Sequence, residues 1–236
     1  MKTEIRPATS QRDRESVFRF RYRIYVEEMH RQQSCADHER KHIRDYHDED
    51  ALSILAGFDQ AGQIVGTVRA NWANDLTQED QLFYGMHAFL PYVNRRATLT
   101  SRFMVEQSIR GTSLALRLAI AIFELGYRAG SRFDFIDCND HLVSFFMSLG
   151  YRQIIPDAIH PDYGRVHPMV LSVAGWNYLE KMRSPFAALK DTLPHDSNAE
   201  EFASSVLPDV PAYESIVQIP RSRRCANSDS RNIARA

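Results

Sequence analysis

Residues 108–118 read "SIRGTSLALRL". They lie between the apolar run "RFMV" (102–105) and a long helical text, "SLALRLAIAIFELGYRAG" (113–130). A strand, a short turn with one glycine, and then a helix aim several backbone N–H groups at one point, with the helix dipole behind them. That arrangement suits a phosphate. Gly111 lets the backbone approach a ligand closely and Arg110 adds a charge. The same residues also describe a plain strand-to-helix turn capped by Thr112 or Ser113. One glycine matches none of the standard nucleotide fingerprints, so both readings stand on this stretch alone.

Outward from the turn, alternation and helical spacing predict the other elements. Toward the N-terminus, "ATLTSRFMV" (97–105) is a strand, and "ALSILAGFD" (51–59) and "IVGTVRANW" (64–72) form a hairpin through "QAGQ". "DQLFYGMHAFLPYV" (80–93) is a short helix or a packed loop. "TEIRPA" (3–8) is a first strand, and residues 10–33 are helical, with Val17, Phe18, Tyr22, Tyr25 and Val26 on one side. Between them and the hairpin, "SCADHERKHIRDYHDED" (34–50) is polar enough to be a surface loop or a lid. Toward the C-terminus, the helix stops at Gly130, "RFDFID" is a buried strand, "DHLVSFFMSLG" is a helix ended by Gly150, and "YRQII" and "HPMVLSV" are strands. This interleaving predicts an α/β fold: a mixed twisted sheet with helices on both faces. The expected division is a domain over 1–183 and a loosely attached polar tail over 184–236, with a short helix around Glu200 to Val206.

At 236 residues and 44 % hydrophobic, the chain can build one sizeable core. A formal charge of −1 speaks against coating nucleic acid. Cys35, Cys138 and Cys225 are odd in number and far apart, which reads as reduced thiols in a cytoplasmic protein. No signal peptide is visible, and no run of about 18 apolar residues offers a membrane span.

The turn, taken with its surroundings, resembles the pantetheine-pyrophosphate loop of the GNAT acyltransferases. Arg110 matches the first position of the R/Q-x-x-G-x-G/A pattern and Ala115 the last, while Ser113 replaces the central glycine. "CNDHLVSFFMSLGY" resembles a later family segment, with Asn139 and Leu149-Gly150-Tyr151 in register and Phe146 where a thiolate-protonating tyrosine often stands. "FRFRYRIYVEE", "DYHDED", "IVGTVRAN" and "TSRFMV" narrow the likeness to acyl-homoserine-lactone autoinducer synthases and N-acyl amino acid synthases. Arg21 with Tyr25, Asp45 with Asp48, Arg69, and Ser101-Arg102-Phe103 fall on those patterns, and "HPDYGRVHPMVL" is similar to the closing segment of the second group. Leu99 stands where the lactone synthases carry a glutamate, which favours an enzyme that acylates another amine.

The resemblance implies a GNAT fold and an acyl-CoA or acyl-phosphopantetheine thioester as co-substrate, with no metal. Phe103, Val105, Arg110, Gly111, Thr112 and Ser113 are the candidates for holding that thioester. The acceptor would be a small-molecule amine, amino acid or peptide side chain, and acyl carrier protein a candidate partner. The chemistry of the residues agrees. Arg69 and Arg102 each interrupt an apolar strand, and a buried arginine needs a carboxylate. Asp45 and Asp48 are the nearest, either as a structural network or as a wall of the acceptor pocket. Glu106 is a candidate base or a solvent-facing strand end. Arginines 12, 14, 19, 21 and 23 could form a docking patch for an acidic carrier. Cys35, Asp37, His38, His42 and His47 lack a metal-ligand order and read as solvated. Cys138 reads as a small core residue. Two other functions remain open at this point: a homoserine-lactone synthase using S-adenosylmethionine, and a non-catalytic module that senses acyl thioesters.

Overall fold

The computed structural model describes residues 2–89, 96–153, 158–206 and 217–218. The chain opens with strand β1 (Glu4–Pro7) and helix α1 (Gln11–Tyr22), whose first turn is capped by the Ser10 hydroxyl accepting from the Asp13 N–H. The helix then widens into a π-helical segment, Arg23–Glu28, and leaves helical geometry at His30, where φ is +53°. It is therefore shorter than the sequence pattern suggests. Residues 29–35 are a loop instead, and they cross the molecule to reach Asp162.

The polar stretch 34–50 is the main correction to the reading from sequence. It forms a small hairpin, β2 (Ala36–Asp37) and β3 (His42–Ile43), followed by a 3-10 turn at Tyr46–Asp48. Its second half turns inward: Ile43, Asp45, His47 and Asp48 are buried. Cys138 is free and buried at the end of an apolar strand.

The hairpin β4 (Ser53–Phe58) and β5 (Ile64–Trp72) turns at Gly62, and helix α2 (Gln78–Phe83) with a 3-10 turn at Met86–Phe89 follows. The expected packed segment continued to residue 93, and residues 90–93 lie outside the described residues. Next come β6 (Ala97–Val105), α3 (Leu114–Arg128), β7 (Phe133–Cys138), α4 (Val143–Leu149), β8 (Arg152–Gln153), β9 (Ala158–His160) and β10 (Gly164–Ser172). Helices α5 (Trp176–Lys181) and α6 (Ser197–Val206) and strand β11 (Val217–Gln218) complete the order. Beyond Arg183, Phe186, Leu193 and Ala199 are buried in the same core as α3, α4 and β10.

Among the described residues the main sheet has nine strands in the order β1-β4-β5-β6-β7-β10-β9-β11, with β8 also on β10. It is antiparallel except at β6–β7 and β9–β11. One face packs α1 and the β2–β3 region against β4 and β5, and the other packs α3 and α4. Gly66 lets α3 lie close, since a Cβ there would stand 2.9 Å from Leu118 Cδ1.

Two irregularities of β6 prepare a site. Its parallel pairing with β7 covers only Ala97–Leu99 against Phe133–Phe135, so the two strands separate beyond that point. Its pairing with β5 slips between Thr67 and Arg69, a bulge at which Arg102 takes φ +53°. Ser101 and Arg102 are adjacent, yet both reach the same cluster on the α1 face, which an unbroken pleat would forbid.

Candidate active site

The gap between β6 and β7 is a cavity of about 550 Å³. Its walls come from Leu99–Val105 on β6, Ile136–Asn139 at the end of β7, and the turn and first residues of α3 at Ile109–Thr112, Ala115 and Leu116. Phe145 and Phe146 of α4 add an apolar side. Tyr25, Arg31, Asp45, Arg69, His160 and Tyr163 add a polar one. Because β6 has no strand partner on this edge past Leu99, its backbone polar groups there face the cavity rather than a ladder.

Four of the arginine and aspartate residues expected to pair do so, beneath the polar end. Arg69 donates to Asp45 at 2.5 Å and to Asp48 at 2.9 Å, and Arg102 donates to Asp45 at 2.5 Å. Arg21 joins them, with both Asp48 oxygens at 2.8 and 2.9 Å from its Nη1. The 3-10 turn fixes the acids: Asp45 accepts from the His47 N–H, and Asp48 accepts from the Asp45 N–H. Burial alone would raise the Asp45 carboxyl, but Arg69 and Arg102 hold it well below its ordinary range; Arg21 and Arg69 outweigh burial at Asp48 too and lower its carboxyl. Asp45, Arg69 and Arg102 touch the cavity, while Asp48 sits behind them. Removing one partner of such a buried set costs about 3–5 kcal/mol, because a charge is stranded.

At the other end, Gly111 has φ +83°, and α3 begins at Leu114 with Thr112 Oγ1 accepting from the Leu114 N–H at 3.4 Å. Phe103, Val105, Arg110, Gly111 and Thr112 line the cavity, and Ser113 does not. Arg110 is turned back: its Nε donates to the Val105 carbonyl at 3.0 Å and its guanidinium pairs with Glu28. Glu106 lies outside the cavity wall, paired with Arg23 at 3.4 Å. The arginines of the first helix do not form one patch. Arg21 is fully buried, Arg14 binds the Asp48 carbonyl, Arg19 meets His42, and Arg23 meets Glu106.

Several cavity residues were not singled out in the sequence. The Tyr84 hydroxyl donates to Asp137 at 3.0 Å, and Arg102 donates to the Tyr163 hydroxyl at 2.5 Å. Tyr163 stacks on Tyr25 and on His160, with centroids 5.5 and 4.2 Å apart. Asn139 donates to the Tyr163 carbonyl at 3.4 Å and the Arg165 carbonyl at 3.2 Å. Tyr25, Asn139 and the pair His160 and Tyr163 carried a sequence signal only through the segments "FRFRYRIYVEE", "CNDHLVSFFMSLGY" and "HPDYGRVHPMVL"; Tyr84 and Asp137 carried none. Cys138 is no nucleophile, since burial pushes its thiol up to about 12. Among the described residues no group of three histidine, cysteine or acidic side chains is arranged to hold a metal. No helix there is long and apolar enough to cross a membrane.

Residues 16–174 match the family model of the N-acyl amino acid synthase FeeM. No curated protein matches the sequence. Among solved structures, FeeM, an N-acyl amino acid synthase from uncultured soil microbes, superposes with TM-score 0.61 at 14 % identity, covering 80 % of this chain and 98 % of that one. TofI, crystallised with an inhibitor and MTA, gives 0.60 at 18 % identity, covering 79 % and 99 %. The CoA-dependent acyl-homoserine lactone synthase BjaI, with MTA, gives 0.59 at 17 % identity, covering 86 % and 98 %. At these identities the likeness is one of fold, and the fold is that of GNAT-like acyltransferases.

Proposed function

The chain belongs to the N-acyl amino acid synthase FeeM family and is an acyltransferase; from that premise we propose that it moves a medium- or long-chain fatty acyl group from an acyl carrier protein or coenzyme A thioester to the amino group of an amino acid. The opened seam between β6 and β7 carries this reading, because one continuous cavity joins a helix start, an unpaired strand edge and a charged floor.

The turn at Gly111–Ser113 and the first amides of α3 suit the phosphate of the pantetheine arm. The arm then runs along the seam past Val105 and Phe103, where a β6 backbone N–H stabilises the oxyanion that develops on the thioester carbonyl. Phe103, Leu116, Phe145 and Phe146 give the acyl chain an apolar wall. The cluster of Asp45, Asp48, Arg69 and Arg102 shapes the acceptor end as a rigid wall. Phe146, standing where an acid might be expected, is tolerable because a thiol with pKa near 8.5 leaves readily as thiolate. Acyl carrier protein is the partner this reading requires if the donor is the carrier-bound thioester.

The test is to incubate the protein with dodecanoyl-CoA or dodecanoyl acyl carrier protein and a mixture of free amino acids. Free thiol and an N-acyl amino acid should appear by mass spectrometry, and Gly111→Trp should abolish both. If neither donor binds by calorimetry and Gly111→Trp is as active as the parent, the reading fails. Leu99, 3 % exposed, stands against the lactone-synthase alternative, which an acyl-lactone product from S-adenosylmethionine would establish.

A further inference from the structure

Nearly every charged side chain facing the cavity is engaged by a group of matching character. Arg69 and Arg102 belong to Asp45 and Asp48, Arg110 belongs to Glu28, and Asp162 accepts from the N–H and hydroxyl of Ser34. Arg31 is different. It is half-buried, lines the cavity, and donates through Nη2 to Asn139 Oδ1 at 3.2 Å. It makes no ion pair among the described residues. A guanidinium has five N–H donors in a planar fork, and one neutral amide engages only part of that capacity.

Arg31 is also held in place. Its loop is tied to the far end of the sheet, with Gln33 Nε2 on the Asp162 carbonyl at 3.4 Å and Ser34 Oγ on the Asp162 carboxylate at 3.1 Å. Asn139 donates to the Tyr163 and Arg165 carbonyls, which turns its amide oxygen toward Arg31. A cation fixed by a rigid neighbour and short of a counter-ion is preorganised for an anion.

Two residues before Asn139, Asp137 faces the same cavity and accepts from the Tyr84 hydroxyl. Residues two apart along a strand stand about 7 Å apart. Arg31, held on Asn139, and Asp137 thus place a cation and an anion on one stretch of the cavity wall, complementary to the carboxylate and ammonium of a free α-amino acid.

We propose that Arg31 and Asp137 form the acceptor subsite, Arg31 taking the α-carboxylate and Asp137 the α-ammonium of a free amino acid. This rests on the acyl-transfer reading above and adds to it the residues that recognise the acceptor. In the step, the ammonium gives one proton to the Asp137 carboxylate. The freed nitrogen lone pair bonds to the thioester carbon, the carbon–sulfur bond breaks, and the departing thiolate takes the second proton from the nitrogen. Asp137 returns its proton to solvent, so an ammonium and a thioester become an amide, a thiol and a released proton. Amines whose carboxyl is capped as an amide lack the group that Arg31 reads.

The experiment uses the full chain with dodecanoyl-CoA and dodecanoyl acyl carrier protein as donors, and compares free amino acids with their C-terminal amides. The parent should prefer the free acids by about ten- to hundredfold in kcat/KM, the range of a lost charge-assisted pair. Arg31→Met should raise the amino-acid KM by a similar factor, leave kcat and donor KM near parental, and erase the preference; Arg31→Lys should restore part of it. Asp137→Asn should make the rate climb with pH toward the pKa of the free amine, where the parent has already levelled. An unchanged preference in Arg31→Met overturns the carboxylate assignment, and superimposed pH profiles overturn the ammonium assignment. A parent that acylates amides as well as free acids refutes the subsite while acyl transfer stands. No thiol release from either donor with any acceptor refutes acyl transfer itself.

Discussion

Asp134 shows how much a single buried group can set the behaviour of this fold. It lies on β7 under the α3 face, accepting from Thr98 and Thr100 at 2.7 and 3.0 Å and from the Tyr151 hydroxyl at 2.5 Å. Burial nevertheless dominates these hydrogen bonds and pushes its carboxyl from 3.8 up to about 6. A folded-state pKa raised above the unfolded value contributes stability that is complete below pH 4 and is lost as pH rises through 6. By pH 7 the ionised group costs about 3 kcal/mol relative to its neutral form. Asp134→Asn keeps the oxygen for both threonines and removes the charge. Its stability relative to the parent, from urea unfolding at several pH values, should therefore rise by up to about 3 kcal/mol between pH 4 and pH 7. Parallel curves over that window would contradict the argument. At this scale the sequence was informative wherever burial forces a partner. Arg69 and Arg102 interrupt apolar strands, so their carboxylates could be sought and were found at Asp45 and Asp48. Arg31, Asp137 and Tyr163 gave no such signal. They meet because a loop, a strand end and a turn converge, and no local pattern encodes that.

At the scale of elements, the turn from β6 to α3 kept the strand–loop–helix order its residues suggest, but its working parts differ from the simplest reading. Arg110 braces the end of β6 and the π-helical segment, so the cavity-facing character of the turn rests on backbone geometry more than on side-chain charge. Gly111 is the element's key residue: φ is +83°, and a Cβ built there meets nothing within 4 Å. A substitution is therefore opposed by conformation and not by crowding. Forcing a branched residue into that region costs about 1–3 kcal/mol, which the loop can relieve only by rotating its N–H groups away from the cavity. Gly111→Val should thus raise the KM for the acyl thioester about tenfold or more while thermal unfolding stays near parental. Gly111→Asn, which tolerates a left-handed φ, should fall between the two. Equal donor KM for all three proteins would remove this turn from donor binding. The stretch 34–50 marks the opposite limit of legibility. Its composition is that of a solvated loop, yet Asp45 and Asp48 are buried because three arginines from α1, β5 and β6 wait beneath them. Hydrophobicity counted along one segment cannot register charges supplied by others.

For the molecule as a whole, the interleaved pattern foretold the mixed sheet with helices on both faces, because each strand and helix carries its own period. The seam between β6 and β7 was not legible, since where two strands part depends on what packs between and behind them. That backing includes chain beyond Arg183. The polar composition there conceals anchors at wide spacing. Phe186 is 1 % exposed and stacks on Phe123 with centroids 4.3 Å apart; Ser184 Oγ donates to the Leu149 carbonyl; and Tyr127 donates to the Pro194 carbonyl. Arg132 pairs with Asp196 at 2.6 Å. These contacts cover α3 and the end of α4, the helix that presents Phe145 and Phe146 to the cavity. We infer that the folded acyltransferase unit runs past residue 183. Phe186→Ala should then cost about 3–5 kcal/mol, as for other large core truncations, and lower the unfolding midpoint by roughly 10 °C for a chain of this size. Differential scanning calorimetry measures both. A loss below about 1 kcal/mol, within the range of surface substitutions, would mean that this segment merely rests on the core. The domain would then end where the composition changes, at Arg183.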